Sequence, residues 1–234
     1  MGSRVERVRV GTAQIPELLA RSVARALLDA VEIRGRASLC LAGGTTPRAG
    51  YEALATLAGV PWQQVSVFFG DERCVPPDHP DSNYRMAREA LLDRVAVPAD
   101  NVHRFRAELA DRDAAAREYE ARLPAAFDVL VLGVGEDGHT ASLFPMSDAV
   151  LEAQRRVVPV LAPKPPPERL TLTPAALRSE GVTLVVAAGA SKAAAVARAL
   201  EGELEPLRCP AQLFREAVWL LDHAAAAELR GVFR

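Results

Sequence analysis

Residues 38–54 read SLCLAGGTTPRAGYEAL: a short apolar strand, a glycine pair, two threonines and a helical pattern that opens beside a proline. That order is one βα unit. Proline suits a first helical turn because the N–H it lacks has no partner there, and Thr46 is the expected N-cap. Glycines let a backbone approach an anion closely, and the free N–H groups at a helix start favour negative charge. Gly43, Gly44, Thr45 and Thr46 are therefore a candidate phosphate cradle. The spacing is neither that of a Walker loop nor GxGxxG, so an ordinary capped βα turn would read the same way.

The pattern repeats on both sides of this unit. A helical stretch over residues 17–33 places Leu18, Leu19, Val23, Ala26, Leu27 and Ala30 on one face ahead of the strand at 38–42. Further strands are expected at 65–69, 128–133, 170–173, 182–188 and 217–221, with helices at 47–58, 83–95, 111–122, 192–201 and 223–230. Such alternation specifies an α/β protein, a three-layer, mainly parallel Rossmann-like sheet with helices on both faces. One domain over residues 1–234 is expected. The proline-rich run PVLAPKPPPE at 159–168 reads as a connecting surface loop.

Half of the residues are apolar and a quarter charged, the proportions of an ordinary globular protein. With 28 basic against 30 acidic side chains, the net charge of −2 creates no global field for a nucleic acid or an anionic membrane. Neither is expected as a partner, and any anion must be bound locally. Cys40, Cys74 and Cys209 contain no CxxC spacing, which argues against both a disulfide framework and a zinc cluster and favours the cytoplasm. The start MGSRVERVRVG lacks the apolar core of a signal peptide, and no stretch approaches the roughly 18 apolar residues of a membrane span. Of the basic residues only Lys164 and Lys192 are lysines.

Polar residues gather after the apolar strands, at the sheet edge where ligands collect in open α/β folds. The run VSVFFGDERCVP, residues 65–76, delivers Asp71, Glu72 and Arg73. A carboxylate beside a guanidinium can orient a reacting group and stabilise developing negative charge. Residues 127–145, FDVLVLGVGEDGHTASLFP, break a strand into glycines around Glu136, Asp137 and His139. An imidazole there is suited to take a proton from water and return it to a leaving oxygen. His79, His103 and His223 lack such a setting. Lys192 follows the strand at 182–188 and opposes the dipole of its own helix, which a nearby anion would explain; Arg169 is a second candidate cation. No HExxH, Cys/His cluster or calcium loop supports a metal, and no GxSxG marks Ser142 as a nucleophile.

The stretches at 41–54, 67–92, 127–145, 169–177, 189–196 and 218–226 together resemble the 6-phosphogluconolactonases of the glucosamine/galactosamine-6-phosphate isomerase superfamily, over nearly the whole chain and in the same order. The resemblance implies hydrolysis of 6-phospho-D-glucono-1,5-lactone, the second step of the oxidative pentose phosphate pathway, with no cofactor and no metal. It implies that Gly43, Gly44, Thr45, Thr46, Arg169 and Lys192 bind the phosphate and that His139 is base and then acid. Arg73 would stabilise the carbonyl oxygen, Asp71 would orient water, a hydroxyl or Arg73, and Asp137 would orient or tune His139. A monomer acting on a small sugar-phosphate lactone is the default. Sugar-phosphate deaminases and isomerases of the superfamily carry a glutamate just before the proline of the His-containing loop. Here that position is Phe144, which favours the lactonase. The alternatives are an aldose–ketose isomerase or deaminase with Asp71 as carbon base, and a silent sugar-phosphate sensor.

Overall fold

A computed structural model describes residues 7–231; the first six residues of the MGSRVERVRVG stretch lie outside it. Six strands form one wholly parallel sheet: β1 (Arg7–Val10), β2 (Ala37–Leu41), β3 (Val65–Phe69), β5 (Phe127–Gly133), β8 (Ser179–Ala187) and β9 (Val218–Asp222), in the order β1-β9-β8-β5-β2-β3. Three more, β4 (Asp71–Arg73), β6 (Val157–Leu161) and β7 (Glu168–Leu172), form a separate antiparallel sheet in the order β4-β7-β6. The helices are α1 (Ile15–Arg34), α2 (Thr45–Leu54), α3 (Asn83–Ala90), α4 (Arg112–Glu120) and α5 (Ala193–Glu201). The mainly parallel α/β reading holds. Every residue of β2 is buried, as a strand covered on both faces requires.

Strand order positions the site. The chain leaves β2 toward β3 on one side, whereas it leaves β5 toward β8 on the other. Connections diverging from adjacent strands open a crevice at their C-terminal ends. The glycine pair after β2 and the His139 loop after β5 both lie there. α1 packs across β2, β5, β8 and β9 and against α2, through Leu19, Val23 and Leu27. A single buried cluster includes these residues, Phe69, Phe127 and Trp219.

Two buried tyrosines finish the strands that feed the crevice. Tyr51 on α2 accepts from Ala42 N–H at 2.8 Å and donates to the Ala42 carbonyl at 3.0 Å. Tyr119 on α4 does the same for Phe69, at 2.7 and 3.1 Å. Each hydroxyl satisfies a backbone donor and acceptor where the chain departs from the ladder. Tyr51→Phe is expected to strand both Ala42 groups and to cost about 1–3 kcal/mol in urea unfolding; an unchanged midpoint would contradict that account.

Several expected boundaries are corrected. α2 begins at Thr45, because Gly44 takes the N-cap position with φ 109°, so Thr46 is the second helical residue and not the cap. The helix ends at Leu54, short of 58. The run 159–168 is not wholly a loop: Val157–Leu161 and Glu168–Leu172 pair as a hairpin. Pro159 is tolerated because β6 is an edge strand, where a missing N–H costs little. The expected helix at 223–230 is only a series of turns, with Ala226 N–H to Asp222 O but Ala227 N–H to Ala224 O. The helix at 83–95 stops at Ala90 and continues as a 3₁₀ turn. Lys192 closes a 3₁₀ turn and precedes α5.

Candidate active site

A cleft of about 200 Å³ lies at the crevice, lined by Gly43, Gly44, Asp71, Arg73, His139, Arg169 and Lys192 among others. Seven of the ten sequence-selected site residues thus meet in one place. Thr45 lines an adjoining cavity that shares Gly44, Arg73 and Asn83 with the cleft. Thr46 lines neither cavity, and Asp137 stands behind His139.

The end of α2 is electrostatically open. Ser82 caps α3 by accepting from Arg85 N–H, and Asp111 caps α4 by accepting from Ala114 N–H, whereas no side chain caps α2, α1 or α5. Its first-turn N–H groups and dipole face the cleft through Gly44, whose positive φ makes the turn possible. Lys192 approaches from the end of β8.

The antiparallel ladder supplies the opposite wall. Asp71 is paired with Thr171 and Arg73 with Arg169, so the two arginines occupy opposed positions of the ladder. Like charges at opposed positions repel. Neither arginine enters an ion pair among the described residues; Arg73 donates to the Asp81 carbonyl at 2.6 Å, while its Nε is buried without a partner. Burial lowers the pKa of Arg169, an effect opposed by Asp71 and reinforced by Arg73. Such an arrangement favours an anionic ligand.

The His139 loop is tightly turned. Asp137 Oδ1 accepts from the His139 backbone N–H at 3.1 Å and meets the ring Nδ1 at 2.6 Å. Burial raises the Asp137 carboxyl, yet the hydrogen bonds from His139 outweigh it and hold it at about 2. An ionised carboxylate accepting from Nδ1–H leaves Nε2 as the basic nitrogen. The contact that a two-residue spacing could not guarantee is made. Phe144 packs its ring 4.8 Å from that of His139, and the Arg169 guanidinium lies over it at 5.7 Å.

Asp71 is braced through groups the sequence reading left unassigned. Ser142 donates to Asp71 Oδ2 at 2.6 Å, and Asn83 Nδ2 donates to Oδ1 at 3.1 Å and to the Asp71 carbonyl at 2.9 Å. Ser142 is thus a support for Asp71. Glu72 points away from the cleft and accepts from Ser82 Oγ and from the backbone N–H of Arg73, Asn83 and Tyr84. Burial raises its pKa against these four bonds. It clamps the start of α3 against β4 and so presents Asn83 to the cleft. The N-cap pattern at Ser82 was a legible signal for this helix start; nothing in the local sequence marks the Asn83–Asp71 contact.

The family model described as glucosamine-6-phosphate isomerases/6-phosphogluconolactonase matches residues 12–221. A 6-phosphogluconolactonase of Synechocystis is 41% identical over 218 residues, covering 87% of this chain and 89% of the relative. That of Mycobacterium tuberculosis is 44% identical over 219 residues, covering 86% and 88%. Among solved structures, 6-phosphogluconolactonase from Trypanosoma brucei superposes with a TM-score of 0.86 at 29% identity, covering 97% of this chain and all of that one. A monomeric glucosamine-6-phosphate deaminase shares the fold, with a TM-score of 0.83 at 22% identity.

Proposed function

The chain belongs to the family of glucosamine-6-phosphate isomerases and 6-phosphogluconolactonases, and from that premise we propose that it hydrolyses 6-phospho-D-glucono-1,5-lactone to 6-phospho-D-gluconate. The observation that carries the reading is the Asp137–His139 pair at a cleft whose walls hold three cations and an uncapped helix start.

In the reaction, His139 Nε2 takes a proton from water as the oxygen attacks the lactone carbonyl. Arg73, which lines the cleft, offers a guanidinium N–H to the oxygen on which charge develops. Collapse breaks the bond to the ring oxygen, which receives the proton from His139. The product is a carboxylic acid that releases one proton to neutral solvent. Asp71, held by Ser142 and Asn83, accepts from a substrate hydroxyl or the attacking water. The α2 start, Lys192 and Arg169 hold the phosphate, a remote handle that aligns the ring. Phe144 offers no proton to a sugar ring, which favours the lactonase over the deaminase.

One domain spanning residues 1–234 and a monomeric enzyme belong to the same proposal. Support for one domain comes from the single core cluster that its elements share. A cytoplasmic setting is supported by three free cysteines; among the described residues no helix is long and apolar enough to cross a membrane.

The deciding assay follows decay of freshly made lactone by acid release in weak buffer with a chelator present. Acceleration over the spontaneous rate is expected, and decay at that rate would sink the proposal. Lys192→Ala or Arg169→Ala is expected to raise KM for the phosphorylated lactone about 10- to 100-fold and scarcely to alter hydrolysis of the unphosphorylated one. Equal losses on both lactones would contradict the phosphate assignment.

A further inference from the structure

We propose that Asp222 is a positioning residue that acts through Lys192, an inference resting on the phosphate reading above. The stretch VWLLDHAAA ends β9 in a carboxylate that is 1% exposed, lies outside the cleft lining and enters no ion pair among the described residues. Four contacts to three donors converge on it instead. Both oxygens lie 3.1 Å from Gly189 N, Oδ1 accepts from Ala225 N–H at 2.7 Å, and Oδ2 accepts from Thr12 Oγ at 2.7 Å.

The position of Gly189 gives these bonds their meaning. The β8–β9 ladder ends at Ala187 opposite Leu221, so Gly189 lies two residues beyond it, with φ 96° and no strand to receive its N–H. The side chain of Asp222 takes that role, continuing the ladder past its last backbone pair. The Gly189 carbonyl then receives the N–H of Lys192, closing the turn that aims the lysine at the cleft. Asp222 is thus linked to the phosphate cation by two successive hydrogen bonds, and through Thr12 to the segment ahead of α1.

Asparagine has nearly the same shape but cannot make the same set of bonds. Because Gly189 N is equidistant from the two oxygens, the amide nitrogen opposes that N–H in either orientation. Asp222→Asn is therefore expected to raise KM for the phosphorylated lactone about tenfold and to leave kcat and the unphosphorylated reaction within about twofold. In a Lys192→Ala background the same substitution is expected to add almost nothing, because the affected cation is already absent. Thr12→Val, which removes one bond to Asp222 without touching Gly189, reports what a loss of stability alone does and is expected to keep KM near wild type.

An unchanged KM, or a loss that is equal with and without Lys192, overturns the proposal while leaving the lactonase intact. Should Asp222→Asn not fold, Asp222→Glu keeps the charge but displaces it by one methylene, and the same KM and double-mutant readings apply. A wild-type protein with no preference for the phosphorylated lactone removes the phosphate reading and this proposal together. Failure to hydrolyse lactone, with inorganic phosphate still bound less tightly by Asp222→Asn, removes only the reaction.

Discussion

His139→Ala is expected to lower turnover of the phosphorylated lactone by roughly 10² to 10⁴ while KM changes little. The phosphate handle and the oxyanion donor belong to other elements, so binding survives when proton transfer is lost. Single-turnover and steady-state rates on fresh lactone, corrected for spontaneous decay, separate the two. Near-wild-type turnover would remove His139 from its role. The pH dependence follows from the same pair. Asp137 titrates at about 2, below its ordinary 3.8. Its contribution to stability is therefore complete above that ordinary value and lost only as pH falls toward 2. Asp137 therefore stays ionised at moderate pH and adds no ionisation of its own to the activity profile there. An ionisation at moderate pH that Asp137→Asn removes from the activity profile would show that Asp137 is not the anchored carboxylate described above.

Gly135→Ala is expected to reduce turnover by about 10²-fold with little change in the unfolding midpoint. A methyl group at this position would lie 2.1 Å from His139 Nδ1, 2.2 Å from its Cε1 and 2.6 Å from Asp137 Oδ1. These are ends of side chains and not backbone, so the loop survives and the pair moves. Displacement of a catalytic group by about an ångström is enough for a loss of that size. The contrast between activity and stability is the informative part. Loss of both together would mean that Gly135 serves the loop's path, and loss of neither would mean that His139 rests elsewhere.

Much of the fold was legible because buried parallel strands write themselves as apolar runs, and β2, β3 and β5 each run into glycine where the chain turns. The cluster at the strand ends follows from the same rule, which is why Gly43, Asp71, Arg73, His139 and Lys192 are legible; Arg169 is signalled only by its place after the proline-rich run and lies at the start of β7. The antiparallel sheet was not legible. β4 has three residues, too few for a period, and β6 contains a proline that signals a loop unless its edge position is known. Thr46 was misplaced because glycine is the weaker sequence signal for a cap, and only its positive φ decides where α2 begins. The alanine-rich run after His223 has helical composition but is only about two turns long, and it packs Ala225 and Ala226 into the core as successive turns. Asn83 and Ser142 could not be assigned because their partner Asp71 is 12 and 71 residues away, respectively.

The two tyrosine hydroxyls that finish β2 and β3 bear on how the reaction begins. Because Ala42 and Phe69 are pinned by groups from the protein's own helices, the glycine loop and the Asp71 strand hold their course without a ligand. A lactone arriving from solution meets a finished surface and spends none of its interaction on ordering loops. Capture is then governed by encounter and charge rather than by rearrangement. For a substrate that opens in water unaided, the contest with solvent is decided by how soon it is caught.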